Sequence, residues 1–184
     1  MHLRNEILKE HSRENSLRIA AWIGGHPERI AALTELFLHD EYRVVQRAAW
    51  ILSMVAEKHP AQLQPHLEQM VDRMGHPGIP VAVKRNVVRI LQFLPIPPAL
   101  QGAVMDYCFR FLEDPQETVA VRAFSMTVLA NLAPQYPDIK NEIVLLIEDQ
   151  LREGASPGFK SRAKKTLAQL EGLSGLKRKR AGKT

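Results

Sequence analysis

One helical stripe of apolar residues recurs along this chain at intervals of 38 residues. Its clearest copy follows the i, i+4, i+7, i+8, i+11 spacing of a single helix face. The five positions of that copy are Val83, Val87, Ile90, Leu91 and Leu94. Equivalent stripes begin at Val45, Val121 and Phe159. A face that stays mostly apolar in every copy must be buried against neighbouring copies, so the chain is predicted to be an array of stacked helices.

A second set of helices lies between the copies of this stripe. Its first stripe consists of Leu63, Leu67, Met70, Val71 and Met74, and similar stripes return 38 and 76 residues later. Prolines at 27, 60, 98 and 137 stand where helices of this set begin, which is the position that proline tolerates best. The first helices of the pairs are predicted at 27–38, 60–74, 98–112 and 137–152. The second helices are predicted at 43–58, 80–94, 117–133 and 157–171.

Turn residues fill the gaps between the two helices of each pair. These gaps read HDEY, GHPGIP, EDPQE and EGASPG, and no segment shows the alternating pattern of a strand. The predicted fold is all-α, an α-solenoid or superhelix of about five helix pairs forming one domain over 1–171. Its units lie at about 2–23, 27–58, 60–94, 98–133 and 137–171, and a basic flexible tail is expected over 172–184.

The helix pairs and their period resemble HEAT repeats, a family close to armadillo repeats. The resemblance lies in the turn aspartates Asp40 and Asp114 and in basic residues such as Arg47 and Arg122 near the start of the second helix. The unit at 60–94 departs from the pattern, because His76 stands where the aspartate would be. The resemblance implies a binding protein in which the second helix of each pair lines a concave side.

The two sets of helices differ in charge. Second helices carry eleven basic and three acidic residues, whereas first helices carry five basic and nine acidic residues. The concave side is therefore expected to be basic and the opposite side acidic. The tail has its own basic cluster, Lys177, Arg178, Lys179 and Arg180.

Candidate partner-binding residues follow from this charge pattern and from one unusual helix. The helix at 43–58 is apolar almost all round, so Trp50, Ile51 and Met54 face away from its core stripe. Exposed Trp and Met beside Arg are typical of protein-binding hot spots. The predicted groove consists of Arg47, Trp50, Met54, Lys84, Arg85, Arg89, Arg122, Met126 and Lys165.

Structural roles are the alternative for several of these residues. Arg47 and Arg122 could pair with the turn aspartates Asp40 and Asp114. Trp50 and Met54 could belong to a central helix that packs on both faces, as all-round apolar helices normally do.

The sequence contains little that resembles a catalytic or metal site. The single Cys108 excludes an internal disulfide and fits a reducing compartment, and no HExxH, CxxC, phosphate loop or GxSxG is present. We expect no cofactor, no metal, no membrane segment and no small-molecule substrate. Some DNA glycosylases that remove alkylated purines resemble this fold, but they need a concave aspartate, and the second helices offer only Glu57, Glu117 and Glu171.

These observations predict a non-enzymatic, cytoplasmic binding or scaffold protein that holds an acidic protein segment in a basic, partly apolar groove. Non-catalytic nucleic-acid binding through the same groove and the KRKR tail is the alternative. The alkylpurine DNA glycosylase is a further, lower alternative.

Overall fold

A computed structural model describes the backbone of residues 1–181 and the side chains of residues 1–173. All regular structure in this range is helical and no strand occurs within it, which confirms the all-α class. No helix within residues 1–181 combines the length and apolar character needed to cross a bilayer. The α-helices are α1 (Leu3–Lys9), α2 (Arg13–Ile23), α3 (Pro27–His39), α4 (Tyr42–Lys58), α5 (Pro60–Leu63), α6 (Leu67–Met74), α7 (Val81–Leu91), α8 (Pro98–Glu113), α9 (Val119–Leu132), α10 (Ile139–Arg152) and α11 (Pro157–Ala181).

Local capping residues mark several of the described helix ends. The Ser12 side chain accepts a hydrogen bond from the Asn15 amide and starts α2, and Thr118 does the same for the Val121 amide of α9. Gly24 ends α2 with a φ of 52°, a backbone conformation that glycine adopts without a steric penalty. Most predicted bounds lie within two or three residues of the observed ones, because the caps and the apolar period indicate the same ends.

The helix predicted at 60–74 is interrupted in the structure. It consists of α5, a single 3-10 turn over Gln64–His66, and α6. Pro65 lies in that turn, where it lacks the amide hydrogen and its ring would clash with the preceding turn of an α-helix. The prediction of one continuous helix was therefore wrong at this point.

The last helix, α11, is longer than predicted. It continues past the expected end at 171 to Ala181, so the first part of the segment expected to be a flexible tail has a helical backbone. The tail residues Lys177, Arg178, Lys179 and Arg180 lie outside the residues whose side chains are described. Their proposed binding role stays a prediction.

The chain forms two compact units, unit 1 (Met1–Leu100) and unit 2 (Gln101–Thr184). In unit 1, α4 is the central helix and packs against α1, α2, α3, α5 and α7. Its small buried residues Ala48, Ala49 and Ala56 allow close approach. Ser53 of α4 donates to the Asn86 side chain of α7 at 3.1 Å, which satisfies two polar groups in the buried contact between these second helices.

In unit 2, α9 packs against both α10 and α11. Gln150 on α10 donates its side-chain amide to the carbonyl oxygen of Leu112 and so bonds the ends of α8 and α10. Gln101 on α8 accepts from the Tyr136 hydroxyl at 2.7 Å and donates to the Gln135 side chain at 3.1 Å. These bonds explain why two polar residues stand in otherwise apolar stripes: each is buried but satisfied.

Candidate functional site

A cleft of about 400 Å³ lies in unit 1 between α2 and α4. Its apolar wall on α4 is formed by Trp50 and Met54, both half-buried. The facing wall combines Leu17, which is 41% exposed, with the small residues Ala20 and Ala21 of α2 and with Gly24 just after that helix. The space exists because α2 presents small residues opposite a tryptophan and a methionine.

The rim of this cleft is predominantly basic. Arg13, Lys58 and Arg89 line it, together with the single carboxylate of Glu57. The Arg89 guanidinium pairs with Glu57 at 2.9 Å, and both side chains are substantially exposed. Three cations against one anion around an apolar pocket give a site that attracts negative charge and buries apolar surface.

The apolar second face of α4 is only partly open. Ile51 is 1% exposed, because α1 and α2 pack on that side of α4. Trp50 remains half-buried and meets the His11 ring edge-on, with 6.3 Å between the ring centroids. The structure therefore combines the two sequence interpretations: α4 is packed on both faces, and Trp50 and Met54 still line a cleft.

Arg47 does not lie on the predicted groove. Its guanidinium donates to the carbonyl oxygens of Ile7 at 3.0 Å and Leu8 at 2.9 Å. These carbonyls are among the last four of α1, which have no partner within the helix. A cation at a helix C-terminus also interacts favourably with the helix dipole. Arg47 is thus a structural residue that holds α1 on α4, and its assignment to the groove was wrong.

The basic face of α7 has three members in unit 1. Arg85 is exposed, while Lys84 and Arg89 are half-buried. Arg89 reaches the cleft through its pair with Glu57. Because Arg85 precedes Arg89 by four residues, the two share one side of α7. The helix contains no acidic residue, so this side extends the basic rim of the cleft.

Two of the predicted groove residues in unit 2 are structural instead. Met126 is completely buried, so it cannot extend an exposed apolar patch, and that prediction was wrong. Arg122 donates to the Gln150 side chain, and its guanidinium carbon lies 5.1 Å from the centroid of the Phe159 ring. Arg122 therefore links α9 to α10 and α11, and its assignment to an open groove was also wrong.

Lys165, the third unit 2 residue, is exposed on α11, and its role in a groove stays a prediction. It belongs to a basic stretch of this helix that also contains Lys160, Arg162 and Lys164 and has no acid between Pro157 and Leu170. Arg162 donates to the Thr127 hydroxyl at 3.1 Å. The exposed cations of this stretch are the three lysines.

Within residues 1–173, no group of three or more His, Cys, Asp or Glu side chains is arranged to hold a metal ion. Burial raises the pKa of the Cys108 thiol to about 12, and the Ser125 side chain offsets this only in part. A thiol of this kind is a poor nucleophile at neutral pH.

The repeated helix pairs, their capped turns and their stacked second helices agree with one family model. The model describes a HEAT repeat domain and matches residues 3–170. The chain belongs to the HEAT repeat family. No curated protein matches it. HEAT repeats generally mediate protein–protein interaction and scaffolding.

Sequence reasoning missed the part of this HEAT repeat domain that completes the cleft. Arg13 and Leu17 lie on α2, and the predicted groove included no residue of this helix. A signal was present, since positions 13, 17, 20, 21 and 24 follow the spacing of one helix face opposite the buried Ile19 and Ile23. That face is not a typical apolar stripe, because it joins a cation, a leucine and small residues.

The turn aspartate Asp40 has a different partner from the one its resemblance to other HEAT turns suggested. It accepts from Arg4, with Nε–Oδ2 at 2.8 Å and Nη2–Oδ1 at 3.0 Å, and not from Arg47. The Glu41 amide also donates to Asp40 at 2.7 Å. The Arg4 hydrogen bond, helped by this amide, holds the pKa of the Asp40 carboxyl below its usual value against the opposing effect of burial.

The Arg4–Asp40 pair predicts a pH-dependent contribution to stability. A carboxyl whose pKa is lowered on folding stabilises above its unfolded pKa of about 3.9, and this stabilisation is lost as pH falls through the folded pKa. Arg4→Gln is therefore expected to be less stable than the parent at pH 7, with the difference shrinking below about pH 4. Urea denaturation between pH 2 and pH 7 measures this difference.

Arg110→Gln, which removes an exposed pair with Asp106, is the matched control for the Arg4→Gln variant. A difference independent of pH would contradict the assignment.

Proposed function

We propose that this HEAT repeat chain is a non-enzymatic binding module that holds an acidic protein segment in the cleft between α2 and α4 and along the adjoining basic side of α7. The observation that supports this most is the cleft itself. It combines half-buried Trp50 and Met54 with a rim of three cations and one carboxylate. Aromatic residues and methionine in a partly enclosed pocket are typical of binding hot spots.

Charge supports an acidic partner over a neutral or basic one. Arg85 and Arg89 continue the basic rim along α7. Complementary charge increases the association rate and disfavours partners of the same sign. The half-buried apolar wall then adds the affinity that rim charges alone do not provide, because solvent-exposed ion pairs contribute little.

A binding role without catalysis is part of the proposal. The second helices lack the aspartate that a glycosylase would need, and two of their glutamates have partners: Glu57 pairs with Arg89, and Glu117 accepts the Thr118 amide at 2.7 Å. The Cys108 thiol is buried and strongly disfavoured as a thiolate. A free, buried thiol also supports a reducing, cytoplasmic location.

A double charge reversal tests the basic side of the site. Arg85→Glu/Arg89→Glu is expected to weaken binding of an acidic peptide at least about tenfold, since two attractive charges become repulsive. The probe is a fluorescein-labelled peptide with a central Leu-Phe pair and three glutamates on each side, and fluorescence anisotropy measures its affinity. Arg110→Glu/Arg152→Glu reverses two exposed cations on first helices and serves as the control. Equal affinity of the parent and the α7 variant would reject the assignment.

Nucleic-acid binding is the second candidate, and the basic stretch of α11 favours it. Lys160, Lys164 and Lys165 are exposed on one helix segment that has no acid. Phosphate contacts make affinity fall steeply with salt, with a slope of about 0.9 per contact for duplex DNA. Titration of single-stranded and duplex DNA and RNA across salt concentrations distinguishes the candidates. Nucleic acid would be favoured over peptide if binding is tight and strongly salt-dependent and if Lys164→Glu/Lys165→Glu removes it.

A further inference from the structure

We infer that the cleft between α2 and α4 is a socket, a pocket that binds one bulky apolar side chain of the acidic segment. We also infer that Glu57 binds Arg89 in the free protein and that a carboxylate of the partner replaces it when the segment binds. The inference rests on the proposed function and extends it in two ways. It names the chemistry of the partner, an apolar anchor flanked by Asp or Glu. It also assigns Glu57 as a competitor built into the protein.

The size of the cleft favours a single anchor. Its volume of about 400 Å³ lies near the lower end of the roughly 300–1,000 Å³ typical of ligand pockets. That space admits a bulky side chain and is too small for a whole helix. Ala20, Ala21 and Gly24 leave it open on α2, and Trp50 with Met54 closes it on α4. Leu17, 41% exposed at the edge, is placed to cover the inserted side chain.

The Arg89–Glu57 pair has the properties of an exchangeable contact. The two groups are 2.9 Å apart, and their side chains are 36% and 47% exposed. A pair this accessible to solvent is weak, because water and salt screen it. A partner carboxylate can therefore replace Glu57 on the guanidinium at little cost, and the Glu57 side chain can turn towards Lys58 or solvent.

The rim charge explains why the competitor matters. Arg13, Lys58 and Arg89 together with Glu57 leave the rim with a net charge of +2, and removing the Glu57 charge raises it to +3. Glu57 thus lowers the attraction for every acidic segment, because any partner carboxylate must compete with it for Arg89. Segments that fill the socket gain enough from apolar burial to bind in spite of this competition.

Two variants test the socket and the competitor separately. Ala21 is exposed and lines the cleft, so Ala21→Trp is expected to fill the socket without disturbing the core. Glu57→Gln removes the competing charge and keeps the size of the side chain. The matched controls are Ala168→Trp on α11 and Glu68→Gln on α6, both at exposed positions that do not line the cleft.

The probes are two labelled peptides that differ only in the anchor. One has a central Leu-Phe pair and the other a central Ala-Ala pair, each between triplets of glutamate. The parent chain of 184 residues is expected to bind the Leu-Phe peptide about tenfold more tightly than the Ala-Ala peptide. Ala21→Trp is expected to abolish this preference. Glu57→Gln is expected to tighten binding of both peptides about two- to fivefold.

Other outcomes would overturn the inference in distinguishable ways. If the parent binds the Leu-Phe peptide and neither Ala21→Trp nor Glu57→Gln changes its affinity, the socket is rejected and the proposed function stands on α7 alone. If the parent binds neither peptide, both proposals fail. If an oligothymidine displaces the peptide and Ala21→Trp blocks it equally, the occupant is nucleic acid and the acidic anchor is rejected. Leu17→Ala, which removes part of the wall instead of filling the space, gives a second measurement of the same contact.

Discussion

Replacement of Ile51 by alanine is expected to lower the free energy of unfolding by about 2–5 kcal/mol. Ile51 is 1% exposed, on the face of α4 that α1 and α2 cover. Removing its buried carbons loses the favourable free energy of their transfer out of water. It also leaves a cavity that the packed helices can fill only in part. Urea denaturation followed by circular dichroism measures the change.

Leu145→Ala is the control for this prediction. Leu145 is 58% exposed on α10, so its loss is expected to change stability by no more than about 0.5 kcal/mol. A similarly small effect at Ile51 would show that the second face of α4 is open. The N-terminal helix pair would then not cover it, and the cleft beside Trp50 would have a different floor.

Replacement of Arg47 by methionine is expected to destabilise the chain by about 1.5–3 kcal/mol, the range for hydrogen bonds that involve a charged group. The guanidinium donates to two terminal carbonyls of α1, at 3.0 and 2.9 Å. Methionine retains most of the apolar side chain and removes both donors. The variant also loses a cation at the C-terminal end of the α1 dipole. Its affinity for the acidic peptide is expected to stay within about twofold of the parent, since Arg47 faces α1.

Arg85→Met makes the same chemical change at an exposed position of α7. Its stability is expected to stay within about 0.5 kcal/mol of the parent. Its affinity for the acidic peptide is expected to fall, because Arg85 belongs to the basic side of the site. Arg47→Met is thus expected to lower stability and leave peptide affinity nearly unchanged, whereas Arg85→Met is expected to do the reverse. An Arg47→Met variant that is stable but binds poorly would return Arg47 to the groove.

Helix positions were largely predictable because their signals are local. The stripe that begins at Val83 fixes its own period, and Pro27, Pro98 and Ser12 mark starts through backbone chemistry that does not depend on distant residues. The exception at Pro65 was also a local signal, one that the strong apolar stripe of 63–74 obscured. The helix pairs, their period and the turn aspartates Asp40 and Asp114 resemble HEAT repeats, and the family match over residues 3–170 confirms that resemblance.

The candidate site was predicted only in part because its residues depend on neighbours that are distant along the chain. Trp50, Met54 and Arg89 do line the cleft, while Arg13 and Leu17 were missed because no rule of local pattern pairs α2 with α4. Arg47 and Arg85 occupy equivalent columns 38 residues apart. Arg47 donates to carbonyl oxygens at the end of α1, whereas Arg85 is exposed.

Met126 illustrates the same limit on an apolar residue. Its column matches that of Trp50 two repeats earlier, yet it is completely buried in unit 2 while Trp50 lines a cleft in unit 1. The sequence by itself determined that this chain is a series of paired helices, because the spacing of side chains along a helix follows from backbone geometry alone. The residue types on those helices made the second set basic. Which of those side chains are covered, bonded or left open was decided by packing in three dimensions, because exposure depends on the size and position of residues that the helical period does not specify.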